Sequence, residues 1–221
     1  MGANPALAGP VLCVVGARPN FMKMAPLLAA FARAPELPRA VLVHTGQHYD
    51  ASMSDRLFAD LRLPAPDLNL EVGSGTHAVQ TAEIMRRFEP IVDEFRPSAV
   101  LVVGDVNSTL ACGLVAVKKH VPVVHVEAGL RSFDRAMPEE INRVLTDQIS
   151  DLLYTTERSA AGNLAREGIP AERIVFAGNV TIGNTSILRL ENNGSFSCNN
   201  LTVNGTLDLF GTRSFPGVAG T

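Results

Sequence analysis

The sequence predicts an α/β fold for residues 1–180: a Rossmann-like, doubly wound parallel sheet. Short apolar runs without polar alternation recur along this region, which is typical of strands covered on both faces. Segments with the apolar spacing of helices separate these runs, and strands that alternate with helices form parallel βαβ units. Such units cross over with right-handed connections, which makes the sheet doubly wound.

The predicted elements follow one another in regular alternation. Buried strands are expected at residues 11–15, 41–44, 99–103, 121–126, 152–155 and 174–177, where apolar residues run together. Helices are expected at residues 21–33, 52–61, 76–95, 108–119, 138–149 and 159–167, where apolar residues recur at helical spacing. Prolines at positions 35, 64 and 66 mark loops, because proline interrupts both helices and sheets.

The composition changes after residue 180. Residues 181–221 contain one alanine and no lysine, and they are rich in Asn, Gly, Ser and Thr. Their short alternating runs are separated by Asn-Gly steps at 193–194 and 204–205, which indicate hairpin or solenoid turns. We therefore predict a Rossmann-like domain at 1–180 and a β-hairpin-like or β-solenoid-like tail at 181–221.

The bulk composition excludes several classes of protein. The chain has 221 residues, of which 46% are hydrophobic and 19% charged, with a formal net charge of -3. No basic surface for nucleic acid is expected. The N-terminus lacks the positive region of a signal peptide, and no apolar run approaches the roughly 20 residues of a membrane span. The three cysteines are far apart and two lie in apolar runs. We expect a cytoplasmic protein that does not contact membranes.

The stretch VPVVHVEAGLRSFDRAMPEEINR, residues 121–143, is the most informative part of the chain. It places Glu127 at a strand end and Glu139 at a helix start, with arginines between and after them. Ligand sites of open α/β sheets lie at the edge formed by the carboxyl ends of the strands, which is where Glu127 is expected. A structural ion pair between Glu127 and Arg131 is the alternative, and Glu139 and Glu140 could be ordinary acids of a first helical turn.

Two further turns carry candidate site residues. Gly16–Asn20 joins the first strand to its helix, and Arg18 and Lys23 would add positive charge to an anion site there. The alternative is a routine turn with a surface arginine. Because the turn is not a G-x-G-x-x-G fingerprint, NAD binding is poorly supported. Asp105 ends another strand and either caps the next helix or faces the cleft, since Asn107 and Ser108 could provide the cap instead.

The three carboxylates Asp105, Glu127 and Glu139 suit acid–base work on a carbon or a hydroxyl. Positive charge from Arg18, Lys23, Arg131 and Arg143 suits a phosphorylated substrate. The histidines show no metal-ligand spacing. From the residues alone we infer proton transfer on an anionic molecule, with a nucleotide-linked molecule as one candidate.

Five motifs together resemble the non-hydrolysing UDP-N-acetylglucosamine 2-epimerases. They are GARPNFMKMAPL, HTGQHYD followed by MS, VVGDVNST, HVEAGLRS, and MPEEINR with Asp147, and they occur in that family's order over about residues 11–180. The resemblance implies half of a GT-B fold and the interconversion of UDP-GlcNAc and UDP-ManNAc. UDP is eliminated to give a 2-acetamidoglucal and is added back after reprotonation at C2. That scheme requires no nicotinamide and no metal.

The resemblance also implies roles for individual residues. Asp105, Glu127 and Glu139 match the family's catalytic carboxylates, and which of them acts as acid or base stays open. Arg18 and Lys23 match its positions for the diphosphate and sugar. Gln47 and His48 lie in a motif that lines the cleft. Members are typically homodimers through this domain, and they serve capsule, teichoic acid or common antigen synthesis.

The chain departs from the family where its second domain would follow. That domain supplies most uridine and diphosphate contacts and a further catalytic histidine, and the tail at 181–221 stands in its place. Half of a cleft is not expected to position a nucleotide sugar, so the resemblance predicts impaired activity. Two alternatives remain, a GT-B glycosyltransferase and a non-catalytic binding or assembly module.

Overall fold

In the computed structural model, residues 9–46 and 64–177 are described, and they contain seven parallel strands. The strands are β1 (Val11–Val15), β2 (Ala40–His44), β3 (Leu68–Asn69), β4 (Ala99–Val103), β5 (Val123–Val126), β6 (Leu152–Thr155) and β7 (Ile174–Phe176). Their order across the sheet is β3-β2-β1-β4-β5-β6-β7. The order reverses between β1 and β4, as in a doubly wound sheet. The predicted fold class is confirmed.

Five α-helices connect the strands of the described region. They are α1 (Arg18–Phe31), α2 (His77–Phe95), α3 (Asn107–Lys118), α4 (Pro138–Ile149) and α5 (Arg158–Arg166), and a 3-10 turn at Ala171–Arg173 precedes β7. The helix predicted at 52–61 and the tail at 181–221 lie outside the described residues. None of the described helices is long and apolar enough to cross a membrane.

Both faces of the sheet are covered, which explains the unbroken apolar runs. Along β4 the side chains of Ala99, Leu101 and Val103 pack with α1, whereas Val100 and Val102 pack with α2 and α3. All five residues of β4 are at most 1% exposed. Because successive side chains of a strand point to opposite faces, every position of a strand that is covered on both faces is buried and apolar.

Two boundaries differ from the prediction for identifiable reasons. Helix α1 begins at Arg18 rather than at residue 21, because Asn20 in its first turn accepts hydrogen bonds from the backbone N–H groups of Gly16 and Ala17. The edge strand β3 was not predicted, because it has two residues and only one of them, Leu68, is apolar. Strand β5 begins at Val123, directly after Pro122, which has no N–H for the ladder.

Candidate active site

The turn at Glu127, at the carboxyl edge of the sheet, has an unusual backbone conformation. Glu127 follows β5 with φ of 70°, a left-handed backbone that costs a residue with a Cβ about 1–2 kcal/mol. The next residue, Ala128, donates its N–H to the Tyr154 carbonyl at 3.0 Å. A strained backbone of this kind is typical of functional sites.

The Glu127 carboxylate forms an ion pair with Lys23 of α1. The two side chains are 21% and 15% exposed, so the pair lies at the surface of the edge rather than in the core. The expected alternative, a pair between Glu127 and Arg131, is wrong. The predicted site residues Lys23 and Glu127, which are 104 positions apart, are therefore in contact.

Gly104, at the end of β4, gives this ion pair its space. Its φ is +69°, and a Cβ added there would lie 3.4 Å from Glu127 Oε2 and 3.5 Å from Lys23 Nζ. Asn20 Nδ2 would be closer still, at 3.2 Å. A side chain at position 104 would thus require the left-handed conformation and a small shift of the Asn20 amide, while it would make ordinary contacts with Glu127 and Lys23.

The turn between β1 and α1 differs from the expected anion site. The N–H groups of Gly16 and Ala17 are already bonded to Asn20 Oδ1, at 3.3 and 3.1 Å, and are not free for a ligand. The Asn20 amide donates in turn to the Val103 carbonyl at 2.8 Å, which ties the turn to β4. Arg18 is exposed, and within the described ranges its guanidinium has no hydrogen-bond or ion-pair partner.

Asp105 does not cap α3. The N-cap residue is Val106, which makes no side-chain capping bond, so the expectation that Asn107 or Ser108 caps the helix is also wrong. The Asp105 carboxylate instead accepts from Arg143 Nε and Nη2 at 2.9 and 2.8 Å. Predicted site residues from two distant segments are thus paired, and α4 is held against the end of β4.

The adjacent acids of α4 have different surroundings. The buried Glu140 accepts from the N–H groups of Ser132 and Phe133 at 3.0 and 2.9 Å and from Arg143 at 2.6 Å. Burial would raise the pKa of Glu140, but the hydrogen bonds from Ser132, Arg143 and Phe133 outweigh it and the pKa lies below its usual value. Glu139 is partly exposed and has no such partner among the described residues.

Arg131 lies beneath the site. Its side chain is 1% exposed, and it pairs with Asp147 at 2.7 Å and with Glu167 at 2.6 Å. Its guanidinium is committed to two carboxylates here, which speaks against substrate contact, and the expectation that it binds substrate stays a prediction. Gln47 and His48 lie outside the described residues. Within those residues, no group of three or more His, Cys, Asp or Glu side chains could hold a metal ion.

The arrangement brings carboxylates and cations together at the carboxyl ends of β4 and β5. The family model for UDP-N-acetylglucosamine 2-epimerase matches residues 30–203, more than half of the chain. The chain belongs to the UDP-N-acetylglucosamine 2-epimerase family. The predicted resemblance is confirmed, and family membership decides against the glycosyltransferase alternative.

Relatives of this epimerase-family chain are similar over one part of their length. A UDP-N-acetylglucosamine 2-epimerase homolog of Methanococcus maripaludis is 49% identical over 159 residues, which are 72% of this chain and 44% of that protein. The UDP-2,3-diacetamido-2,3-dideoxy-D-glucuronate 2-epimerase of Pseudomonas aeruginosa is 46% identical over 172 residues, 77% of this chain and 48% of that protein.

A solved structure agrees with this picture. The crystal structure of Methanocaldococcus jannaschii UDP-GlcNAc 2-epimerase in complex with UDP-GlcNAc and UDP has a TM-score of 0.75 and 44% identity. The similarity covers 77% of this chain and 47% of that one. The epimerase-family chain therefore spans about half the length of the relatives it matches.

The burial pattern of helix α4 in this family member is the reverse of that of an ordinary surface helix. The apolar residues Ile141 and Leu145 of this helix are 39% and 46% exposed, and the N-cap residue Met137 is 37% exposed. Its buried residues are polar, namely Glu140, Asn142, Thr146 and Asp147. Sequence reasoning missed the roles of Asn20, His125, Glu140 and Asp147, and of Asn142, whose Nδ2 donates to the Asp105 carbonyl at 2.9 Å. Acids seven positions apart on one helix face, Glu140 and Asp147, are the signal that could have found two of them.

Proposed function

We propose that this chain carries the N-terminal half of an active site that interconverts UDP-GlcNAc and UDP-ManNAc. One observation carries the proposal: Glu127 is held on a strained, left-handed backbone beside Lys23, at the carboxyl edge of the sheet. Family membership supports the reaction type. Asp105, with its partner Arg143, lies one residue beyond Gly104 and adds a second carboxylate.

The proposed reaction has two stages. A carboxylate removes the proton from C2 of the sugar, a double bond forms between C1 and C2, and the C1–oxygen bond breaks so that UDP leaves with the electron pair. A proton then returns to C2 on the opposite face, and UDP adds back to C1. Asp105, Glu127 and Glu139 are the groups that we propose remove and return this proton. No nicotinamide or metal enters these steps.

The cations have separate roles in this proposal. Arg18 is exposed and unpartnered within the described ranges, so it is available for the diphosphate. Lys23 and Arg143 balance the charge of Glu127 and Asp105 and contact the substrate beside them. Gln47 and His48 remain proposed lining residues. For Arg131 we propose a positioning role instead of substrate contact, because its side chain is 1% exposed.

The relatives are about twice as long as the matched region, so this region accounts for part of their cleft. Acid–base groups alone do not position a nucleotide sugar, and positioning supplies a large share of catalysis. We therefore propose that residues 1–180 alone catalyse the reaction weakly.

We also propose that the protein is a cytoplasmic homodimer that supplies UDP-ManNAc for cell-envelope polysaccharides. The exposed stripe formed by the N-cap residue Met137 with Ile141 and Leu145 of α4 supports a second copy as the partner. Exposed Phe133, at 71%, lies in the loop just before this helix. Self-association would cover apolar surface that a monomer leaves in water. The alternative of a non-catalytic assembly module uses the same surface but predicts no chemistry.

A second substrate is favoured by one comparison. The Pseudomonas aeruginosa relative, named for UDP-2,3-diacetamido-2,3-dideoxy-D-glucuronate, is 46% identical to this chain. The same proton chemistry at C2 would serve that sugar. A carboxylate on the substrate would require one more cation at the site, and the exposed Arg135 has no partner within the described ranges.

Proton exchange at C2 tests the proposal directly. UDP-GlcNAc is incubated with the purified chain in D2O and followed by NMR, with Glu127→Gln as the control. We expect slow appearance of deuterium at C2 together with UDP-ManNAc, and neither with the variant. The same incubation is repeated with UDP-2,3-diacetamido-2,3-dideoxy-D-glucuronate. A folded wild-type chain that gives no exchange with either of these two nucleotide sugars would overturn the claim of activity and favour the assembly module.

A further inference from the structure

His125 lies directly behind the Glu127 turn and is completely buried. Its Nδ1 is 2.6 Å from Asp147 Oδ1, and its Nε2 is 2.8 Å from the carbonyl oxygen of Gly104. The imidazole thus bridges the end of β4 to the middle of α4. The proposed chemistry assigns neither His125 nor Asp147 a contact with substrate.

Both nitrogens of His125 face hydrogen-bond acceptors. A carbonyl oxygen can only accept, and an ionised carboxylate can only accept. A neutral imidazole has a single N–H, so one of its nitrogens would direct a lone pair at an oxygen less than 3 Å away. Only the imidazolium, with a proton on each nitrogen, satisfies both contacts at once.

The surroundings of Asp147 favour its ionised form. Its Oδ2 accepts from the Gly129 N–H at 3.0 Å and from Arg131 at 2.7 Å. The Gly129 N–H and the Arg131 charge stabilise the carboxylate independently of the protonation state of His125.

With His125 protonated, the charges of this group cancel, and three of its four side chains are buried. Two cations, His125 and Arg131, face two carboxylates, Asp147 and Glu167. A neutral imidazole would leave the group with one excess negative charge, although the Glu167 side chain is 27% exposed.

We propose that the His125 imidazolium and Asp147 form a charged clamp that positions the catalytic edge, with Asp147 as the positioning residue. The clamp holds Gly104, the neighbour of Asp105, and Gly129, two residues beyond Glu127. It thereby sets the spacing of these two carboxylates without contacting substrate. The part of the inference that concerns catalysis rests on the proposed function, whereas the protonation state does not.

The protonation state is tested by nitrogen-15 NMR of the histidine side chains. The chain has five histidines, and His125→Gln identifies the signal of interest. We expect both ring nitrogens of His125 to carry protons at neutral pH, because each nitrogen faces a hydrogen-bond acceptor. A His125 ring with one unprotonated nitrogen at neutral pH would overturn the imidazolium assignment.

The positioning role is tested with Asp147→Asn and Asp147→Glu. Misplacing a catalytic group by about 1 Å can cost about 100-fold, so we expect a fall of that size in kcat for C2 exchange with KM unchanged. In Asp147→Glu, His125 should keep both protons while kcat still falls. The matched control is Asp151→Asn, because Asp151 accepts from the Val123 N–H at 2.9 Å at the opposite end of β5.

Each outcome decides one claim. Folded Asp147 variants with the kcat of the wild type would overturn the positioning role, as would an equal loss in Asp151→Asn. If Asp147→Asn does not fold, the Asp147→Glu variant and the wild-type spectrum still test the clamp. If the wild type shows no exchange, the proposed function fails, and the protonation of His125 is still measured independently.

Discussion

Glu139 and Glu140 are neighbours in the chain, yet only Glu140 is tied into the fold. Glu140 is 3% exposed and accepts two backbone N–H groups of the 132–133 loop as well as Arg143. Glu139, one position earlier, is partly exposed and unpartnered within the described ranges. The same substitution, Glu to Gln, at these two positions should therefore affect stability at Glu140 and catalysis at Glu139.

We expect Glu140→Gln to destabilise the fold by about 1–3 kcal/mol, because buried donors lose a charged acceptor. Glu139→Gln should change the free energy of unfolding by less than about 0.5 kcal/mol, as surface substitutions do, while abolishing C2 exchange. Urea unfolding and deuterium exchange measure the two effects. Equal loss of stability in both variants would contradict this distinction.

The stability of the fold should fall in acid. The pKa values of Asp147 and Glu140 lie below their usual values of 3.8 and 4.5, so the unfolded chain binds more protons than the folded one. Their contribution is present at neutral pH and is lost as pH falls through and below those values. The stability difference between wild type and Glu140→Gln should thus shrink below about pH 4.5. A stability difference between the two proteins that grows as the pH falls would contradict the expected direction of the effect.

Gly129 is expected to be irreplaceable for a steric reason as well as a conformational one. Its φ is +78°, and an added Cβ would lie 2.7 Å from the Ala160 carbonyl oxygen. Gly168 provides the control, since its φ is +83° and nothing lies within 4 Å of its added Cβ. Gly168→Ala should cost about 1–2 kcal/mol, and Gly129→Ala clearly more, as measured by thermal or urea unfolding.

The two described cysteines should be unreactive in the folded protein. Burial, and secondarily the charge of Asp67, raises the pKa of Cys13 to about 12, and burial raises that of Cys112 well above its usual value. Thiolate is the reactive form, so neither should be modified at pH 8. In a Cys198→Ser background, Ellman's reagent should detect no thiol before urea is added and both afterwards. Rapid reaction of one thiol without urea would contradict their burial.

The strands and helices of the Rossmann-like domain were predictable because their signals are local. A strand covered on both faces must be apolar at every position, and β4 at Ala99–Val103 shows this in five consecutive residues. Helix α4, at Pro138–Ile149, has the predicted bounds because proline suits a first helical turn. Asp105 and Glu127 were predicted as site residues because ligands bind at the carboxyl ends of the strands in parallel sheets, and those ends can be located from the sequence.

The partners of these residues depend on long-range folding. Lys23 and Glu127 are 104 positions apart, and Arg143 and Asp105 are 38 apart, so no local pattern reveals that each cation meets that carboxylate. The inverted burial of α4 has the same cause. Its polar face is buried because hydrogen-bond partners arrive from the 128–133 loop and from β5. Apolar spacing records which residues avoid water on average, whereas the pairing of buried charges is settled by which distant segments the fold brings into contact.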